Sequence, residues 1–179
     1  DGENHKILYI TGEIANYTAE AISHVSINAV LYPSNGTNAV ATIHGSPLAA
    51  VIAPGQTACF QLAMEMPGKY ERYELSIPGF QSGGEPTPTL ELADVTAGFD
   101  KAKKAYILSG RALSPDGSVP SGLRVIATLY DRDGTVVGCG QSEALFSPES
   151  LSVGGAFSLS FPSRAARTAR VYKLDLTAE

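Results

Sequence analysis

Two stretches of the chain, HVSINAVLYPSNGTNAVAT from His24 and GLRVIATLYDRDGTVVGCG from Gly122, follow one pattern 98 residues apart. Each alternates apolar and polar residues up to Leu-Tyr, turns on Asn-Gly or Asp-Gly, and resumes in a second apolar stretch. A repeat of that length limits 179 residues to two copies of one small unit of roughly 90 residues each. A unit of that size still removes roughly two thirds of its unfolded surface from water, so each copy can hold its own core.

The correspondence runs beyond these stretches. With Gly12 set against Gly110, KILYITGEIAN matches KAYILSGRALS as a first strand. Val25, Ile27, Ala29 and Leu31, and their counterparts Leu123, Val125, Ala127 and Leu129, recur with a period of two. That period places them on one face of a strand against a core, with Ser26, Asn28 and Arg124 among the residues facing outward. Asn35-Gly36 and Asp133-Gly134 supply the positive backbone angles of a tight hairpin, so each Leu-Tyr strand is expected to pair with the segment after it. Turns follow at 52–57 and 151–156, then strands through Phe60 and Leu62 and through Phe157 and Leu159, and last YELSI (73–77) and YKLDL (172–176).

Between the copies, PGFQSGGEPTP (78–88) is Pro- and Gly-rich and has the composition of a linker. TLELADVTAGFD (89–100) is expected to be an extra strand, joined to AYILSGRAL by a Lys-rich turn at 101–104. The first copy has no counterpart to it. Either that copy is one strand short or its opening strand lies upstream, and an unpaired edge there is a place for another chain to add a strand. The expected fold class is therefore all-β, two tandem immunoglobulin-like β-sandwiches: 1–78, a linker at 79–88, and 89–179. One short helical turn is expected within 162–172, grouping Arg164, Arg167 and Arg170 on one side as a solvated connection.

Composition excludes several classes of function. The net charge of −5 is small, and its excess sits in the first copy, with three basic and eight acidic residues up to Pro88 against ten of each from Thr89. Neither half has the basic face that phosphate-backbone binding demands, so no nucleic-acid partner is expected. No run approaches the roughly 20 apolar residues of a membrane span; a membrane enters only through an anchor upstream of this chain. The two cysteines, Cys59 and Cys139, occupy different places in their repeats. Two buried free thiols packing as small apolar side chains are expected, since a disulfide would have to join the two copies.

Candidates for chemistry are few. The second copy has no histidine, so a site common to both copies cannot use His5, His24 or His44, and no spacing suggests zinc. DRDG (131–134) starts like a calcium loop, but the twelfth position from Asp131 is Ser142, so a hairpin turn is the better reading. Ser109 and Ser114 have no recognisable base, and GFQSGG (79–84) lacks the strand-to-helix setting of a phosphate loop.

LYD at Leu129 to Asp131, LYPSNG at Leu31 to Gly36, APG at Ala53 to Gly55, and the late strands opening at Tyr73 and Tyr172 resemble the FxLYD domain. That family comprises small β-sandwich modules of exported or membrane-attached proteins of bacteria and archaea. The motif's phenylalanine is replaced by Ala29 and Ala127, and its aspartate by Pro33 in the first copy. The resemblance implies an immunoglobulin-like fold and an extracytoplasmic location, with no catalytic residue, cofactor or metal to carry over. The function expected is a non-catalytic binding or spacer module at the cell envelope, its partner a protein or envelope component. The alternative is a carbohydrate-binding module using Tyr32 and Tyr130, and a hydrolase is the third reading.

Overall fold

Among the described residues, almost every regular segment is extended, because runs of alternating and β-branched residues are cut every few positions by Gly, Pro, Asn or Asp. The computed structural model describes residues 6–85, 91–113, 122–145 and 154–177. His5, Ser114, residues 86–88 of the expected linker and the start of the 151–156 turn lie outside them. The strands are β1 (Ile7–Ala15), β2 (Ile22–Tyr32), β3 (Ala41–Gly45), β4 (Val51–Ile52), β5 (Thr57–Glu65) and β6 (Arg72–Ser82). Then follow β7 (Glu91–Asp100), β8 (Ala105–Leu113), β9 (Arg124–Tyr130), β10 (Val136–Glu143), β11 (Gly155–Phe161) and β12 (Val171–Thr177). The protein is all-β, and its described helical structure is one 3-10 turn, Ala165–Thr168.

The strands form four sheets: β1-β5; β3-β2-β6, with β4 also on β2; β10-β9-β12; and β11-β8-β7. All pairings are antiparallel. Two large apolar clusters lie between them. The first draws on β1 and β5 on one side and β2, β3 and β4 on the other, and includes Ile10, Ile27, Leu31, Phe60 and Leu62. The second draws on β8 and β11 against β9, and includes Leu108, Val125, Leu129, Phe157 and Leu159.

The pairings of the first set recur in the second. Gly12 faces Phe60 and Gly110 faces Phe157; Leu31 faces Tyr73 and Leu129 faces Tyr172; Ala29 faces Leu75 and Ala127 faces Leu174. The two glycines share one cause. A Cβ on Gly12 would stand 2.8 Å from Phe60 Cζ, and one on Gly110 would stand 2.9 Å from Phe157 Cζ and 3.0 Å from the Ala93 carbonyl oxygen. Each aromatic ring lies over the strand at the place where its partner has no side chain.

The hairpins differ from expectation. β2 and β3 do pair, but through the eight-residue loop 33–40, and Asn35 does not take a positive φ. β9 and β10 are joined tightly, yet only Gly134 has a positive φ (79°). The Asp131 carboxylate accepts hydrogen bonds from the Asp133 and Thr135 amides, both at 2.9 Å, and so ties the turn from within. This is the three-residue hairpin in which a left-handed glycine follows a type I turn. The Pro- and Gly-rich segment also starts later than its composition suggests, since residues 79–82 belong to β6. Pro78 is accommodated because β6 pairs with β2 alone, at a shift in register.

One difference between the two sets matters most. β7 lies beside β8 and packs Leu92 and Val95 against the second cluster, where β12 also lays Leu174 and Leu176. In the first set β1 pairs with β5 alone among the described strands. Nothing described covers β6, and every residue of it is exposed.

Replacing Gly110 with Ala is expected to cost about 2 kcal/mol, because the methyl meets backbone as well as a ring that is itself buried. Urea unfolding monitored by tyrosine fluorescence measures this, and an unchanged midpoint would contradict the close approach.

Candidate functional site

β9 reads RVIATLY, and both faces of it are buried: Val125, Ala127 and Leu129 toward the second cluster, Ile126 and Thr128 away from it. The expectation that alternate residues of this strand face water therefore fails beyond Arg124. The covering layer is the outer face of the β1-β5 sheet, and Cys59, Ile126 and Cys139 form a third cluster there with Leu48 and Ala49 packed on it.

Cys59 and Cys139 are not free thiols. They form a disulfide, with Cα atoms 6.0 Å apart, between β5 and β10. The expectation of two unpaired thiols treated the halves as independent. It missed that β5 and β10 lie face to face, which puts side chains 80 residues apart within bonding reach.

Polar groups surround this seam. The Tyr130 hydroxyl donates to Glu13 Oε1 at 2.7 Å, and the Thr57 hydroxyl donates to the same oxygen at 3.0 Å. Lys173 Nζ donates to the Thr57 carbonyl (2.9 Å) and hydroxyl (3.1 Å), and pairs with Asp175 at 2.9 Å. Burial first, then the hydrogen bond to the Glu13 carboxylate, holds the Tyr130 hydroxyl well above the usual tyrosine range, so it remains a donor.

The residues singled out from sequence are dispersed. Tyr130 is in the seam, half-buried, while its counterpart Tyr32 is on β2, under the Arg72 guanidinium, whose carbon is 4.0 Å from the ring centroid. Arg164 caps the start of one 3-10 turn, Arg167 lies within it and Arg170 past its end; all three are exposed. The Arg167 guanidinium carbon is 5.7 Å from the Phe99 ring centroid, and Arg170 donates to the Ala169 carbonyl at 3.0 Å. His44 is bonded to its cross-strand neighbour Asn28 (2.7 Å). His24 Nδ1 is 3.2 Å from the hydroxyl of Ser23, which is itself buried. Among the described residues no group of three or more His, Cys, Asp or Glu is placed to hold a metal.

Two features were not anticipated. One is a cleft of about 560 Å³ beside the seam, into which Tyr9, Thr11, Gln61, Gln141, Ser158 and Ser163 project. Among the described residues its lining is amide, hydroxyl and apolar, with no charged side chain. The other is the inner face of β6. Tyr73 and Leu75 stand opposite the buried Leu31 and Ala29 and so point to the core side of the sheet, yet Tyr73, Leu75 and Ile77 are 52%, 46% and 50% exposed. For the seam the sequence signals were present: Ile126 and Lys173 stand at outward positions where the first copy has Asn28 and Glu74. No family model matches the chain, and no curated protein or solved structure does.

Replacing both Cys59 and Cys139 with Ala is expected to lower stability by about 2 to 4 kcal/mol, read as a fall in the thermal midpoint. The folded Tyr130 pKa exceeds the unfolded one, so its contribution is complete below about pH 10 and is lost as pH rises further. Tyr130→Phe is expected to cost about 1 kcal/mol at pH 7 and to flatten the decline of the melting temperature between pH 9 and about pH 11. Part of the decline persists, since burial also raises Tyr106.

Proposed function

We propose that the chain is a non-catalytic binding or spacer module, built of two tandem immunoglobulin-like sandwiches of FxLYD type and working outside the cytoplasm at the cell envelope. The observation that carries this reading is the seam. A spacer must hold its two ends at a fixed separation, and here a disulfide, an apolar cluster and a chain of hydrogen bonds from Tyr130 to Lys173 join the halves. Recurrence of the same strand pairings in both halves supports the tandem reading. The disulfide supports the location, because such bonds persist in oxidising compartments and are rare where glutathione and thioredoxin keep thiols reduced.

The cleft beside the seam favours a second reading, the carbohydrate-binding module. Uncharged amides and hydroxyls next to an exposed tyrosine, here Tyr9, suit a neutral sugar, which offers hydroxyls to hydrogen-bond and an apolar ring face to stack. This moves the reading from Tyr32 and Tyr130 to Tyr9. Binding on a glycan array that Tyr9→Ala abolishes is the result it requires.

For the spacer, spin labels at Ser34 and Asp133, both on exposed loops, are expected to give one narrow distance distribution in the oxidised protein and a broader one after Cys59→Ala with Cys139→Ala. A distribution equally broad in both proteins would sink the rigid-spacer reading. Thiol trapping in the source cells is expected to find both cysteines oxidised.

A further inference from the structure

The cleft beside the seam is bounded by the edges of strands. An unbroken run of β10, Val137 to Ser142, and another of β11, Ser158 to Phe161, line it. Side chains of a strand point alternately to its two faces, so an unbroken run meets a cleft along the strand's edge, where the backbone N–H and C=O groups lie. Both edges are open. Among the described strands, β10 pairs with β9 alone and β11 with β8 alone.

The hydrogen bonds fix which groups these edges present. The Ala144 amide donates to the Leu123 carbonyl, in step with the register that runs from Gly138 to Glu143, so the even-numbered residues of β10 exchange bonds with β9. The N–H and C=O groups of Cys139 and Gln141 therefore point away from β9, to the cleft. On the other side, Ala156 exchanges both its bonds with Leu145, at 2.9 and 3.2 Å, so Ser158 and Ser160 likewise turn their N–H and C=O groups away from β8. The bridge between Leu145 and Ala156 ties the two edges together at one end. Continued, it would set Gln141 against Ser160; instead β10 and β11 part into separate sheets. Cys139 is buried, and backbone groups left without partners at such a place are costly.

We propose that the cleft takes an extended, uncharged segment of a partner polypeptide, laid along β10 and hydrogen-bonded to the backbone of Cys139 and Gln141, with Ser158 and Ser160 on its far side. A polypeptide carries its N–H and C=O groups at the strand repeat of about 3.4 Å per residue, which is what an open edge matches. A neutral sugar answers the hydroxyls and Tyr9 but has no such repeat. Among the described residues no charged side chain lines the cleft to pair with a charged segment, and about 560 Å³ admits a short stretch of one strand rather than a folded domain. This names the partner for the binding reading above and rests on that reading only in treating the chain as a binding module.

The probe is a capped synthetic peptide of seven residues, the length of β11, alternating valine and serine. Added to the intact oxidised protein, it is expected to bind saturably and to slow hydrogen exchange at the Cys139 and Gln141 amides. Ser158→Trp, at an exposed position lining the cleft, is expected to weaken binding by about tenfold or more by filling it. Glutamate in place of the peptide's serines is expected to weaken binding by about tenfold or more on the unaltered protein, as a charge entering an uncharged cleft. A peptide N-methylated on its ladder-facing amides is expected not to bind that protein. No saturable binding, equal binding of the glutamate peptide, binding that survives N-methylation, or binding that leaves either amide unprotected would overturn the proposal. So would exchange at Cys139 and Gln141 that, without peptide, is already as slow as at Gly138 and Gly140: independent of protein concentration it would show β10 and β11 closing on each other, and rising with concentration it would show self-association. Glycan binding lost in Tyr9→Ala, with the peptide failing, would give the cleft to a sugar. Failure of the peptide with a narrow spin-label distance preserved would remove the polypeptide partner and leave the spacer standing.

Discussion

The contact of one sheet's outer face with another's, β1-β5 on β10-β9-β12, sets most of what is distinctive about this molecule. Either sheet alone would show water a polar face, as half-exposed antiparallel sheets do. Here Ile126 and the Cys59–Cys139 bond replace that exposure with a buried layer, and β9 becomes a strand enclosed on both sides. The charged groups follow from the same contact. Glu13 accepts from Tyr130 and Thr57, and Lys173 reaches Thr57 while paired with Asp175, so the ions entering the seam each have partners.

Within each half, the sequence was a good guide because the interactions are local or nearly so. A period of two from Val25 to Leu31 and from Leu123 to Leu129 picks out eight residues that are all buried, although on β9 the intervening Ile126 and Thr128 are buried as well. Turn chemistry was less reliable. Asn35-Gly36 lies in an eight-residue loop where no tight reversal is needed, whereas Asp133-Gly134 closes a hairpin organised by the Asp131 carboxylate. The seam was hidden for another reason. A repeat predicts that two copies resemble each other, and contacts between copies live where they differ: Ile126 for Asn28, Lys173 for Glu74, and two cysteines without counterparts. The tyrosines of the Leu-Tyr motif illustrate the cost, since identical words place Tyr32 under an arginine and Tyr130 in a half-buried hydrogen bond to Glu13.

The two halves also differ in how completely they satisfy one rule: a sheet lined with apolar residues needs an opposing layer of equal width. Three strands face three in the second half. In the first, two strands face a sheet of four, and the uncovered width is β6, with Tyr73, Leu75 and Ile77 exposed on its inner face. Such an edge invites pairing with another chain and is usually blunted by charge, proline or a bulge. β6 does carry Pro78 and a shifted register, while β1, with an unbroken register, carries neither.

The disulfide closes a loop of 80 residues that contains β6, the segment before β7, and the whole of β7 to β9. A protease that severs the backbone once anywhere inside that loop produces two peptides still joined through sulfur, and for a cut before β6 or between β7 and β8 they are also joined by the strand pairing that the cut leaves in place. In surroundings rich in secreted proteases, the separation between the ends of the molecule would thus outlast the continuity of its main chain.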